Sequence, residues 1–205
     1  MRRRKHDAER TREDLLQAAL TVFGRHGIHG TRLEDIATEA KVTRGAIYWH
    51  FGGMDGLVRE LLARQLEPIL ATIGSVSARP LSALARLETL LTELLGHIEQ
   101  SPKLRDSFLL EFERSLFTIT AREMHPVLRQ STLHIERVFR AIVDEGKSEG
   151  VIRDDVPTTQ ILSLLVILIK GTLIDARMRL RGNGQPRRKP DPRVLAALAV
   201  RAIRA

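Results

Sequence analysis

Val42-Thr43-Arg44-Gly45-Ala46-Ile47-Tyr48-Trp49-His50-Phe51 is the stretch on which the reading of this 205-residue chain turns. Placed on a helix capped by Thr43, Ile47 and Phe51 lie four apart and share one face. They can close onto Leu33, Ile36 and Phe23. Arg44 and Tyr48, also four apart, share another face, with Gly45 and Trp49 beside them. The single Trp and the single Tyr of the chain therefore sit together, away from the positions a core needs. Arg suits the guanine edge in a major groove, and Tyr O–H and Trp N–H donate to phosphate oxygens. Gly45 has no side chain to hold a groove at a distance. Thr31 and Thr43, at two helix starts, can bring hydroxyls and free N–H groups to phosphates. Another reading of the same residues has Tyr48 and Trp49 packed on a neighbouring domain and Arg44 merely solvated. His50, at the helix edge, fits either a phosphate contact or a cap on local carbonyls.

Working outward, apolar residues recur at helical spacing almost throughout, and alternating β-branched runs are missing. A first helix is predicted from Asp7 or Thr11 to Gly27, with Leu15, Leu16, Ala19, Val22 and Phe23 on one face. A short second helix spans Leu33 to Ala40, starting at Thr31 or Arg32. Lys41 and Val42 connect it to the third helix, which Gly52 and Gly53 end. A fourth helix opens at Met54 or Asp55 and runs to about Ile73, before a break at 74–80. Further helices are placed near 81–100, 103–116, 124–147, 157–181 and 191–204, with a Gly- and Pro-rich loop at 182–192. The fold class is all-α, with about nine helices. A three-helix helix-turn-helix domain over 1–55 precedes a larger helical domain over 56–205.

Composition limits what such a chain can do. Cysteine is absent, which excludes disulfides and thiolate metal sites and suits a reducing, cytoplasmic setting. The basic start Arg2 to Lys5 is followed by charged residues rather than an apolar stretch, so no signal peptide is expected. The longest apolar run, Ile161 to Ile169, is too short to span a bilayer of about 20 residues, and no membrane insertion is expected. Residues 1–66 carry 12 Lys+Arg and 9 Asp+Glu, residues 67–176 carry 12 and 15, and residues 177–205 carry 9 and 1. Two basic ends thus flank a mildly acidic middle and invite a polyanion.

The first sixty residues resemble the DNA-binding domain of the TetR family of bacterial transcriptional repressors. The resemblance rests on Ala18-Ala19 to Phe23-Gly24, His26-Gly27, Gly30-Thr31, Leu33 to Ala37, Ala40, Val42 to Gly45 and Ile47 to Phe51. The segment Gly45 to Phe51 is particularly similar to the AcrR-like branch, which represses multidrug efflux genes. The resemblance implies that the helix from Thr43 is a recognition helix. Arg44, Gly45 and Ala46 would then contact base edges. Thr31, Thr43, Tyr48, Trp49 and His50 would grip phosphates. Two departures stand out: the family usually has a Lys where this chain has Met54, and often a basic residue where it has Gly52. The arm Arg2 to Lys5, with Arg10 and Arg12, could supply that grip, or could be a solubilising tail.

The same resemblance implies a homodimer on a near-palindromic double-stranded DNA operator, released by a small-molecule inducer. The helix over 157–181 is apolar around most of its girth, and a partner chain is the simplest second cover. Leu165, Leu168 and Ile169 on that helix, with Leu195 and Leu198 on the last, are the expected dimer contacts. The other reading is a central core helix of a monomer. For the ligand pocket the candidates are Glu67, His97, Phe108, Glu111, Phe112, Phe139 and Asp175. Each also fits plain core packing or a solvated face.

Catalysis is not expected. Walker loop, dinucleotide glycines, nucleophile elbow and His-Glu-x-x-His are all missing from the sequence, and no histidine pair has helical metal spacing. No cofactor or metal is expected. The alternative to a regulator is a non-specific nucleic-acid or membrane-surface binder, which the basic segment 177–193 favours weakly.

Overall fold

The computed structural model describes residues 2–27, 30–100, 126–181 and 188–205, and these form eight helices and no strand. The helices are α1 (Arg2–His26), α2 (Leu33–Glu39), α3 (Arg44–Phe51), α4 (Met54–Ser77), α5 (Ala83–Gln100), α6 (Pro126–Ser148), α7 (Thr158–Arg181) and α8 (Pro192–Ile203). The helix expected at 103–116 lies outside the described residues. Two compact units emerge, and the chain passes from one to the other within α4, at Gln65–Leu66.

In the first unit, Leu15, Ala19, Phe23, Ile36, Ile47 and Leu57 are fully buried, as the periodicity requires. α1 packs on α2, and α2 on α3. α1 begins five residues earlier than the earlier of its two expected starts. Thr11 does not cap it; its hydroxyl donates to the Asp7 carbonyl 3.0 Å away, inside the helix. Arg, Lys, Ala and Glu upstream are good helix formers, so nothing stops the helix sooner. α2 is closed at its start by Arg32, whose N–H donates to the Asp35 carboxylate at 2.8 Å. Arg12 pairs with Glu60, and Arg64 with Glu13 and Glu60, joining α1 to α4.

The second unit is built on α5, whose Leu87, Leu90, Leu91, Leu95 and Ile98 are buried against α8 and α7. Ala196, Val200 and Ile203 of α8 and Ile161, Leu162, Leu165 and Leu173 of α7 complete this core, together with Phe139 and Val143 of α6. The chain after α6 folds back so closely that a Cβ on Gly146 would stand 2.6 Å from Ile152 Cδ1. Ile152 also forms an isolated antiparallel bridge with Arg204. α4 continues past the expected break, through Gly74 to Ser77, because Ile73 and Val76 are both buried and hold the last turn in place.

α7 differs from the expectation in one respect. Ser, Thr and Gly do not end its apolar character, and the 19 residues Thr158–Ala176 have a mean hydropathy of 1.6. By length and composition that stretch could cross a membrane, although the run Ile161 to Ile169 alone could not. Only part of its surface is covered by its own unit. Leu164, Val166 and Ile167 on α7, and Val194 and Leu198 on α8, remain exposed.

Candidate nucleic-acid interface

α3 is short and held from one side. Ile47 is fully buried, while Thr43, Arg44, Gly45, Tyr48 and Trp49 face outward and Ala46 and His50 are half-buried. Trp49 is 73% exposed, so a large aromatic is left in water on a face the core does not use. Its ring meets that of His50 edge-on, with centroids 4.4 Å apart. Partial burial, then the nearby Arg12 charge, pushes His50 below the ordinary histidine range, partly offset by Glu9. Both the burial and the Arg12 charge favour the neutral ring. Thr43 occupies the cap position of α3, but its hydroxyl makes no capping bond.

Arg44 is the most engaged residue on this face. Its Nη1 donates to Glu34 Oε1 at 2.7 Å and its Nη2 to the Tyr48 hydroxyl oxygen at 2.9 Å. The guanidinium lies 5.4 Å from the Tyr48 ring centroid. The Tyr48 bond first, and then the Glu34 charge, raise its pKa further above the ordinary arginine value.

The remaining sequence candidates are placed differently. Thr31 is buried, and its hydroxyl donates to the Gly27 carbonyl at 2.7 Å. Arg12 is committed to Glu60 and lies 5.4 Å from the Phe51 ring, so it acts as a clip within the unit. Gly52 ends α3 with a φ of 73°, a left-handed conformation in which a basic side chain would be strained. Arg32 and Lys41 flank α2, are exposed, and have no ion-pair partner among the described residues. Lys41 adopts a φ of 57°, the only positive value among described non-glycine residues. Spacing along a single helix does not point to Glu34, because its contact with Arg44 crosses the turn between two helices.

In the second unit, Phe139 belongs to the core and Glu67 is exposed. Phe108, Glu111 and Phe112 lie outside the described residues. His97 is half-buried, with its Nε2 2.8 Å from the hydroxyl of buried Thr72. Asp175 accepts from Arg179 Nε at 2.8 Å, and Arg179 also pairs with buried Glu99. Leu165 is covered by its own unit; Leu168, Ile169 and Leu195 are half-buried and Leu198 is open. The apolar side chains that the unit leaves uncovered are Leu164, Ile167 and Val194 as much as Leu198.

Residues 15–61 match the family model described as bacterial regulatory proteins, tetR family. The transcriptional repressor NicS of Pseudomonas putida is 31% identical over 167 residues, covering 80% of this chain and 76% of that protein. The chain belongs to the TetR family. A second relative, the probable acrEF/envCD operon repressor of Escherichia coli K12, is 45% identical over 64 residues, which is 31% of this chain and 29% of that one. The likeness of fold reaches beyond the N-terminal domain: the structure of the ketosteroid transcriptional regulator KstR2 of Mycobacterium tuberculosis superposes with a TM-score of 0.71 at 20% identity, covering 95% of each chain. The protein is thus a TetR-family transcriptional regulator with an N-terminal helix-turn-helix, and α3 is the second helix of that motif.

Proposed function

We propose that this regulator is a ligand-responsive repressor that binds a near-palindromic operator as a dimer. The observation that carries this reading is the outward face of α3, where Arg44, Gly45, Tyr48 and a 73%-exposed Trp49 stand together over a buried Ile47. On this reading, residues 1–55 are the DNA reader and 56–205 the ligand-binding and dimerisation body. Arg44, Gly45 and Ala46 meet base edges. Thr43, Tyr48, Trp49 and His50 meet phosphates; the Thr31 hydroxyl, buried and donating to the Gly27 carbonyl, is not among these contacts. Tyr48 accepts from Arg44 and keeps its own hydrogen for a phosphate oxygen. Arg32 and Lys41, without ion-pair partners among the described residues, add the grip that Met54 and Gly52 do not supply.

The exposed apolar side chains of α7 and α8 form the dimer contact, with Leu168, Ile169, Leu195 and Leu198 joined by Leu164, Ile167 and Val194. A twofold pair sets two recognition helices roughly 34 Å apart, one turn of duplex. The inducer sits in the second unit, where His97 and Thr72 are polar groups among apolar side chains. It acts by preferring the conformation that does not fit DNA. The likeness to the acrEF/envCD repressor and to the AcrR-like recognition segment supports control of an efflux or related stress gene, with a lipophilic inducer.

The test is a mobility-shift and footprinting experiment on the DNA flanking the protein's own coding region. The expected result is one protected inverted repeat, preferred over a shuffled copy by about three orders of magnitude or more. Equal binding to both would instead make the protein a non-specific binder.

A further inference from the structure

The carboxylate of Glu34 lies on a surface where a carboxylate is out of place. It projects from α2 onto the face of Arg44 and Tyr48, where a duplex would bring phosphates, and it repels them whatever the base sequence. It adds little stability in exchange. The Glu34 and Arg44 side chains are 55% and 54% exposed, and an ion pair so open to water is weak. α2 and α3 already pack on each other, with Ile36 and Ile47 fully buried. A group that lowers affinity for every duplex and barely stabilises the fold is accounted for if it improves discrimination.

We infer that Glu34 is a positioning residue for base reading: with the Tyr48 hydroxyl, it fixes the Arg44 guanidinium on the outward face of α3 and holds it back from phosphates. This rests on the reading of α3 as the duplex reader. Two of the five guanidinium N–H donors are occupied, one by Glu34 and one by Tyr48. The other three remain for a base edge. A side chain already held in one orientation loses less freedom on meeting a guanine. To reach a phosphate on a wrong sequence, the same side chain must abandon Glu34 and leave that carboxylate beside the backbone.

The experiment selects duplexes from a randomised pool with the full-length wild type. Binding of the selected duplex and of a shuffled copy is then measured at one salt concentration. The variants are Glu34→Ala, Glu34→Gln, Arg44→Ala and the double variant, and circular dichroism melts verify that each folds. Arg44→Ala is expected to lose base preference at particular base pairs. Glu34→Ala should loosen preference at those same base pairs and tighten binding to the shuffled copy by about two- to fivefold, the worth of an exposed ion pair. Glu34→Gln should fall between, since its amide oxygen still accepts from Arg44. In the Arg44→Ala background, Glu34→Ala should leave base preference unaltered. Full base preference in Glu34→Ala, alongside its loss in Arg44→Ala, overturns the role of Glu34 alone, as does an equal change of affinity for both duplexes. If the wild type enriches no sequence, or Arg44→Ala keeps every preference, the reading of α3 falls and this inference with it.

Discussion

Lys41 shows most plainly how a single residue can be costly to the fold and useful to the surface. Its φ of 57° belongs to the left-handed region, which costs a side-chain-bearing residue about 1–2 kcal/mol. Lys41→Gly should therefore raise the unfolding free energy by about 0.5–1 kcal/mol once the freer unfolded chain is counted. The same change should weaken duplex binding for every sequence and reduce the salt slope by about 1. Denaturant melts and salt-titrated binding check the two signs separately, and a variant that is less stable or binds as tightly contradicts the account. The pairing of Arg44 with Tyr48 was legible in the sequence, because residues four apart on a helix meet. The hold of Glu34 on Arg44 was not, since it depends on how α2 packs on α3. For the same reason the sequence offered Arg12 for DNA, when its partner Glu60 is 48 residues away.

At the level of elements, helices were readable wherever one apolar stripe meets one core. The bounds of α2, α3, α5, α6, α7 and α8 fall within two residues of expectation. Errors arose where packing overrode a local signal: Gly74 did not stop α4, because Val76 behind it is buried. α7 was harder, since it is apolar around most of its circumference and periodicity cannot say which side faces home. The structure assigns Ile161, Leu162 and Leu165 to the unit's own core and leaves Ile167 67% exposed. Ile167→Glu should consequently leave the protomer folded but weaken the dimer by about 2 kcal/mol or more. Sedimentation velocity reads this directly, and an unchanged dimer would place the interface elsewhere. Gly146 offers a contrasting test inside the second unit. Gly146→Ala forces a methyl group against Ile152 and should cost about 1–3 kcal/mol in thermal melts without altering oligomeric state. A melt unchanged from wild type would mean that the close approach is not tight.

Across the whole molecule, charge and surface divide along the chain. Residues 1–66 carry a net +3 and residues 67–176 a net −3, so the helix-turn-helix end is more attractive to a polyanion than the middle of the chain. The 9 basic and 1 acidic residues of 177–205 do not form a second free basic surface throughout: Arg179 is tied to Glu99 and Asp175, and Lys189 lies 3.6 Å from Glu99. What the sequence carried for the molecule was its family and its reader, both concentrated in a short run of residues with mutually consistent spacing. What it did not carry was the body's ligand: Phe139 is buried in the core, Asp175 pairs with Arg179, and Phe108, Glu111 and Phe112 lie outside the described residues. The lone tryptophan allows a direct test of the central claim. Iodide quenching of its fluorescence is to be measured on the free protein, and then with the duplex footprinted beside its own coding region. Strong quenching in the free protein, suppressed in proportion to the DNA bound, is the predicted result; quenching that is weak from the start, or that the bound duplex leaves unchanged, would contradict an outward α3 that reads DNA.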